Sequence, residues 1–170
     1  MSVPALVDYF RLMARTDITM TPDEVQEFLA QPQSIQVATL GHDGFPHLAP
    51  MWFAVIEGKV AFRSFTKSQK IVNLKRDPRI TLLAETGDAY AELQGLMIKG
   101  TATLTADPEF VLTMYGKLAA RYAFSGEGPG EMDAEQLEKT YGRFAPKNTA
   151  VVVEPVKVIS WDHRKLGGKY

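Results

Sequence analysis

Phe62-Arg63-Ser64-Phe65-Thr66-Lys67-Ser68-Gln69-Lys70-Ile71-Val72-Asn73-Leu74-Lys75-Arg76-Asp77-Pro78 is the stretch on which the reading of this chain turns. Val60, Phe62 and Ser64 alternate with outward residues, the period of a strand. Ser68 or Thr66 can then cap a helix whose apolar side is Ile71, Val72 and Leu74. That helix stops at Asp77-Pro78, because the residue before a proline is pushed out of helical geometry. Arg63, Ser64, Thr66, Lys67, Ser68, Gln69 and Lys70 therefore crowd a helix start, where backbone N–H groups lack partners and the helix dipole is positive. Such a donor set suits an anion, most naturally a phosphate; the alternative is an ordinary capped corner facing water.

Upstream of the corner, the segments arrive as a meander. Ile35, Val37 and Thr39 alternate in a strand, and Gly41-His42-Asp43-Gly44 supplies a hairpin turn. The chain returns as a strand over Phe45 to Ile56, turns again at Glu57-Gly58-Lys59 and enters Val60 to Phe65. Downstream, Arg79 to Glu85 is a strand, Thr86-Gly87-Asp88 a turn, and Tyr90 to Leu104 a long strand. Gly95 and Gly100 in it point to bulges or sharp curvature, as a small barrel needs.

Helices flank this core. Residues 3–15 carry apolar positions at helical spacing and read as an amphipathic arm, while Thr21-Pro22-Asp23-Glu24 opens a second helix with a capping threonine and proline at its first position. Asp107-Pro108-Glu109 opens another, with Phe110, Val111, Met114, Leu118 and Tyr122 on one face. Ser125 to Gly130 is a flexible loop or a lid, Asp133 to Tyr141 a short helix, and Thr149 to Trp161 a closing strand interrupted at Pro155, before a basic, glycine-rich tail. The order argues for one mainly β domain over 1–170, a small closed or nearly closed antiparallel barrel with helices at its rims. Its parts are a helical arm (1–31), a barrel core with the anion corner (34–104), a helical insertion (107–142) and a closing strand with tail (149–170).

Composition narrows the functional classes. Nineteen basic and twenty acidic residues leave a net charge of −1, which supports neither nucleic acid nor an anionic membrane as partner, so an anion site must be local. Cysteine is absent, which excludes disulfides, thiolate metal sites and cysteine nucleophiles. No apolar run reaches membrane-spanning length and no signal peptide is visible, so a cytoplasmic location is expected. His42, His47 and His163 show no metal spacing, and no His-Glu-x-x-His or Gly-x-Ser-x-Gly pattern occurs. No metal is expected, and no residue is singled out as a catalytic acid, base or nucleophile.

Gly44-Phe45-Pro46-His47-Leu48-Ala49-Pro50-Met51-Trp52-Phe53, the corner Phe62 to Pro78, and Glu92-Leu93-Gln94-Gly95 come in an order and spacing that resemble the pyridoxamine 5'-phosphate oxidase-like superfamily. The resemblance is strongest to its flavin- and deazaflavin-dependent oxidoreductases, whose endings are similar to Ser160-Trp161-Asp162-His163-Arg164-Lys165-Leu166-Gly167. It implies a six-stranded split β-barrel of the FMN-binding type, a homodimer, and one cofactor in each of two clefts between subunits.

By the same resemblance, Arg63, Ser64, Ser68, Gln69 and Lys70, with Lys67 beside them, match the phosphate corner. Pro50, Met51, Trp52 and Phe53 match a strand whose backbone lies along the ring system, Gln94 matches a glutamine at the ring edge, and Trp161 resembles a tryptophan that closes the site from the partner subunit. His47, His163, Arg164 and Lys165 are candidates for the substrate or a cofactor tail. The arginine-histidine ending of pyridoxamine phosphate oxidases proper is absent, with Trp161-Asp162-His163-Arg164 in its place, which argues against vitamin metabolism while leaving Arg164 or Lys165 able to touch an anionic substrate. The expectation is an FMN-dependent oxidoreductase acting on a small organic substrate. The alternatives are reduction by the deazaflavin coenzyme F-420, whose anionic tail Lys67, Lys75, Arg164 and Lys165 could meet, a non-enzymatic flavin or haem binder, and an interaction module.

Overall fold

A computed structural model describes residues 18–123 and 130–167. The arm expected over 3–15 and most of the loop expected over 125–130 lie outside them.

Helix α1 (Pro22–Ala30) starts as its sequence dictates. Glu24 N–H donates to the Thr21 hydroxyl, Thr21 N–H donates to the Glu24 carboxylate, and Val25, Phe28 and Leu29 are buried. Strands β1 (Ile35–Leu40) and β2 (Pro46–Met51) form the first hairpin, turned through Gly44 at φ 84°. Strand β3 (Ala54–Ile56) pairs with β4 (Lys59–Phe65) across a turn with Glu57 at φ 50° and Gly58 at φ 74°. Helix α2 (Gln69–Arg76) follows, then β5 (Arg79–Thr86), β6 (Gln94–Thr105), α3 (Pro108–Ala119), α4 (Ala134–Tyr141) and β7 (Asn148–Asp162).

All seven strands join one antiparallel sheet in the order β2-β1-β5-β6-β7-β4-β3. Its two edge strands are consecutive in the chain, separated only by Trp52 and Phe53. Three Cα steps span at most about 11 Å. The sheet must therefore curl until its edges nearly meet, and the fold is the split barrel expected, with seven strands in place of six. The expected strand over 45–56 is two strands because it changes partner at Trp52-Phe53, from β1 to β4. Phe53 is fully buried there and Trp52 is 40% exposed.

Three further expectations are corrected. Residues Tyr90–Glu92 form a 3₁₀ turn, and the long strand begins only at Gln94. Pro155 does not interrupt β7. The β6 pairing passes from Lys99↔Lys157 to Gly100↔Pro155, leaving Val156 bulged and exposed. In α2 it is Val72 that faces water and Asn73 that is buried, since the Asn73 amide donates to the Thr39 hydroxyl on β1 at 3.0 Å.

The barrel interior is filled by Ile35, Val37, Phe53, Val60, Phe62, Ile80, Leu82, Leu96, Ile98, Val151 and Val153, with α1 and α2 closing on it. A second cluster lies outside the barrel wall. There Val111, Met114, Tyr115 and Leu118 of α3 cover Ala54, Ala61 and Ala150. Strand β4 is thus buried on both faces, which decides where Arg63 goes.

Candidate functional site

Adjacent strand residues point to opposite faces. Ser64 shares the inner face of β4 with Phe62, whereas Arg63 shares the outer face with Ala61, under α3. The structure therefore divides the expected corner into two groups.

The first group sits at the start of α2. Ser68 is the N-cap, but its side chain makes no capping bond; its hydroxyl instead lies 2.9 Å from that of Ser64. Lys70 Nζ donates to the Ser64 hydroxyl at 3.4 Å. Burial holds the Lys70 ammonium below its ordinary value, and no carboxylate among the described residues pairs with it. Two hydroxyls and a part-buried cation thus converge at a helix N-terminus. Gln69 turns the other way, donating to Asn73 Oδ1 at 2.8 Å, and lines with Asn73, His47 and His42 a cavity of about 280 Å³ under the β1–β2 turn. His47 Nδ1 is buried there without a hydrogen-bond partner. Lys67 is exposed beside this group.

The second group lines a cleft of about 330 Å³ formed by Ser34, Pro50, Met51, Trp52, Arg63 and Leu118. It brings the expected ring-binding stretch to Arg63. The guanidinium of Arg63 lies 3.9 Å over the Tyr115 ring and donates to Asn148 Oδ1 at 3.1 Å. Burial lowers its pKa, opposed by Tyr115 and Tyr141, whose rings are stacked at 4.4 Å. Trp52 stacks on Tyr122 at 4.8 Å, with the rings 1° from parallel. Tyr122 in turn donates its hydroxyl to the Gln33 carbonyl at 2.7 Å and lies within 3.4 Å of the Phe53 amide. Phe53 itself is wholly interior, so only its backbone is available to a ligand. Tyr115, Leu118 and Tyr122 were not among the expected site residues. Their common signal is helical spacing along α3 and just past its end, which reads equally as a core-facing stripe.

A third group lies twelve residues along β7 from the position opposite Arg63. Arg63 pairs with Ala150, while Gln94 pairs with Asp162 and Gly95 with Trp161. At about 3.3 Å per residue that is roughly 40 Å of strand. The Trp161 ring rests on Gly95, where a Cβ would come within 2.0 Å of it. Asp162, 2% exposed, accepts from Gln94 Nε2 at 3.2 Å and from Arg164 Nε and Nη2 at 2.9 and 2.7 Å. Those Arg164 bonds hold the Asp162 carboxyl below its usual range. His163 Nδ1 lies 2.9 Å from the Tyr90 carbonyl, and Lys165 donates to Glu24 at 2.5 Å and to the Thr19 carbonyl. His163, Arg164 and Lys165, the basic residues of the tail among those described, are thus engaged by this chain's own groups.

Among the described residues no His/Asp/Glu cluster could hold a metal, and no helix is long and apolar enough to cross a membrane. The family model described as pyridoxamine 5'-phosphate oxidase matches residues 21–162. A conserved hypothetical protein from Mycobacterium tuberculosis is 35% identical, over 94% of this chain and 95% of its own, with a TM-score of 0.84. An F-420 reductase is 25% identical, over 78% of this chain and 94% of its own, with a TM-score of 0.59. A pyridoxamine 5'-phosphate oxidase-related, FMN-binding protein from Nostoc punctiforme shares the fold at 18% identity and a TM-score of 0.61, over 88% and 87% of the two chains. No curated protein matches the sequence.

Proposed function

The chain belongs to the pyridoxamine 5'-phosphate oxidase family, and on that premise we propose that it is an oxidoreductase that binds FMN at a cleft between two copies of itself. The observation that carries the reading is the group of Ser64, Ser68 and Lys70 at the start of α2, a part-buried ammonium with hydroxyls beside it and no acidic partner among the described residues. That donor set fits a phosphate.

A bound flavin supplies a ring that takes up or gives a hydride. The chain's own work is to hold and enclose it. Lys70 and the two serines bind the phosphate. Backbone along Pro50, Met51 and Trp52 lies beside the ring, and the Trp52–Tyr122 stack makes one wall of the cleft rigid. Gln94 and Trp161 lie at the other end of β7 from the position opposite Arg63 and do not line its cleft. They serve the site of the partner copy, which supports the homodimer. The outer sheet face offers half-exposed Leu83, Met97 and Ile159 in one row across three strands for that contact. The substrate is a small organic molecule placed against the exposed side of the ring.

The likeness to an F-420 reductase supports coenzyme F-420 as the second reading. Its phosphate would use the same Lys70 group. Titration of the purified protein with FMN and with coenzyme F-420, followed by absorption and fluorescence, decides between them. FMN binding that Lys70→Met weakens supports the first reading, and preference for coenzyme F-420 moves the assignment to the second. Binding of neither, or a Lys70→Met variant that binds like wild type, overturns the site.

A further inference from the structure

Asp162 is a buried carboxylate at the end of the closing strand, and its surroundings fix it from several sides. Arg164 grips both oxygens with its guanidinium fork, and the Arg164 backbone N–H adds a bond to Oδ1 at 3.0 Å. The backbone N–H of Asp162 donates to the Ile18 carbonyl at 2.7 Å, and that of His163 to the Leu93 carbonyl at 2.9 Å. The remaining partner of the carboxylate is the side-chain amide of Gln94.

An ionised carboxylate can only accept hydrogen bonds. It therefore dictates which end of the Gln94 amide turns toward it. The NH₂ group must face Asp162, because the reverse orientation would set two oxygens against each other in a site that is 2% exposed. We propose that Asp162 is a positioning residue that locks the Gln94 amide, so that its carbonyl oxygen is turned away from the carboxylate and accepts from a ring N–H of the cofactor at that edge. The inference rests on the assignment of Gln94 to the cofactor's ring edge. Arg164 completes the device by neutralising the carboxylate without competing for the amide.

A double-mutant cycle on FMN affinity tests it. Gln94→Leu and Asp162→Asn are each expected to weaken binding about tenfold, the value of one ordinary hydrogen bond. The double variant is expected to show about the same tenfold loss, because Asp162 acts through Gln94. Additive losses, about a hundredfold in the double variant, assign Asp162 a structural role only and overturn the proposal. Side-chain amide NMR of the wild-type protein gives a second readout that needs no variant to fold. The Gln94 NH₂ proton facing Asp162 is expected to exchange slowly both before and after FMN is added. If FMN displaces that bond and the amide turns to donate, the proposal falls while the cofactor site stands. If wild-type protein binds neither FMN nor coenzyme F-420, the proposal falls together with the site it rests on.

Discussion

Lys70 and Asp162 both belong to the proposed binding apparatus, and burial disfavours the charge of each, but at Asp162 the bonds from Arg164 outweigh it. Burial disfavours the Lys70 charge, with one hydroxyl contact at 3.4 Å in partial return. Lys70→Met should leave the melting temperature of the cofactor-free protein unchanged or raised, while weakening FMN binding roughly 10- to 100-fold, the range for a charge-assisted bond. Calorimetric melting and a binding titration on the same sample check both halves. For Asp162 the sign is reversed. Its bonds to Arg164 lower the folded pKa from the ordinary 3.8. Its contribution to stability is thus complete above that value and is lost as pH falls through the lowered one. Melting temperature followed down from pH 5 should drop less steeply in Asp162→Asn than in wild type. Tyr122 is a third case, since its hydroxyl joins the Gln33 carbonyl to the Phe53 amide. Tyr122→Phe should cost about 1–3 kcal/mol in a denaturant titration, because it leaves buried backbone groups without their partner.

At the level of elements, the closing strand depends on glycines that let neighbours approach. A Cβ on Gly95 would sit 2.0 Å from the Trp161 ring, so Gly95→Ala should displace that ring and change tryptophan fluorescence, with a loss of stability beyond the helix and strand propensity difference. Gly100 was legible as the place of a bulge, and so were the capping box of α1, both hairpin turns and the end of α2 at Pro78, because each depends on neighbours in sequence. The break at Trp52-Phe53 was not. Phe45 to Ile56 contains no turn residue at that point, and the change of partner is a tertiary event. Pro46 and Pro50 did carry an unused hint, since proline within a strand favours a sheet edge, and β2 is one. The same limit applies to the site. Residue types at the start of α2 suggested a place for an anion, but only the covering of β4 by α3 separates Arg63 from Ser64. Asn73 is buried because it reaches Thr39, 34 residues away, and no local pattern announces that.

For the whole molecule, the half-buried apolar row on the outer sheet face and the separation of the Arg63 cleft from Gln94 along β7 support the proposed arrangement, two copies sharing two sites. Leu83→Glu together with Ile159→Glu should give a monomer by sedimentation that no longer retains FMN. Retention by the monomer would place the whole site in one chain. The tie between the edge strands adds a property of its own. Pro50, Met51 and Trp52 line the cleft from one side of the gap in the barrel, and Arg63 and Leu118 line it from the other. Across that gap the chain itself is a staple of two residues, with no ladder between β2 and β3. A molecule seated there would bridge the two sides of that gap. Its arrival should slow amide hydrogen exchange along β2 and β3 while leaving β5 and β6, at the middle of the sheet, as protected as before.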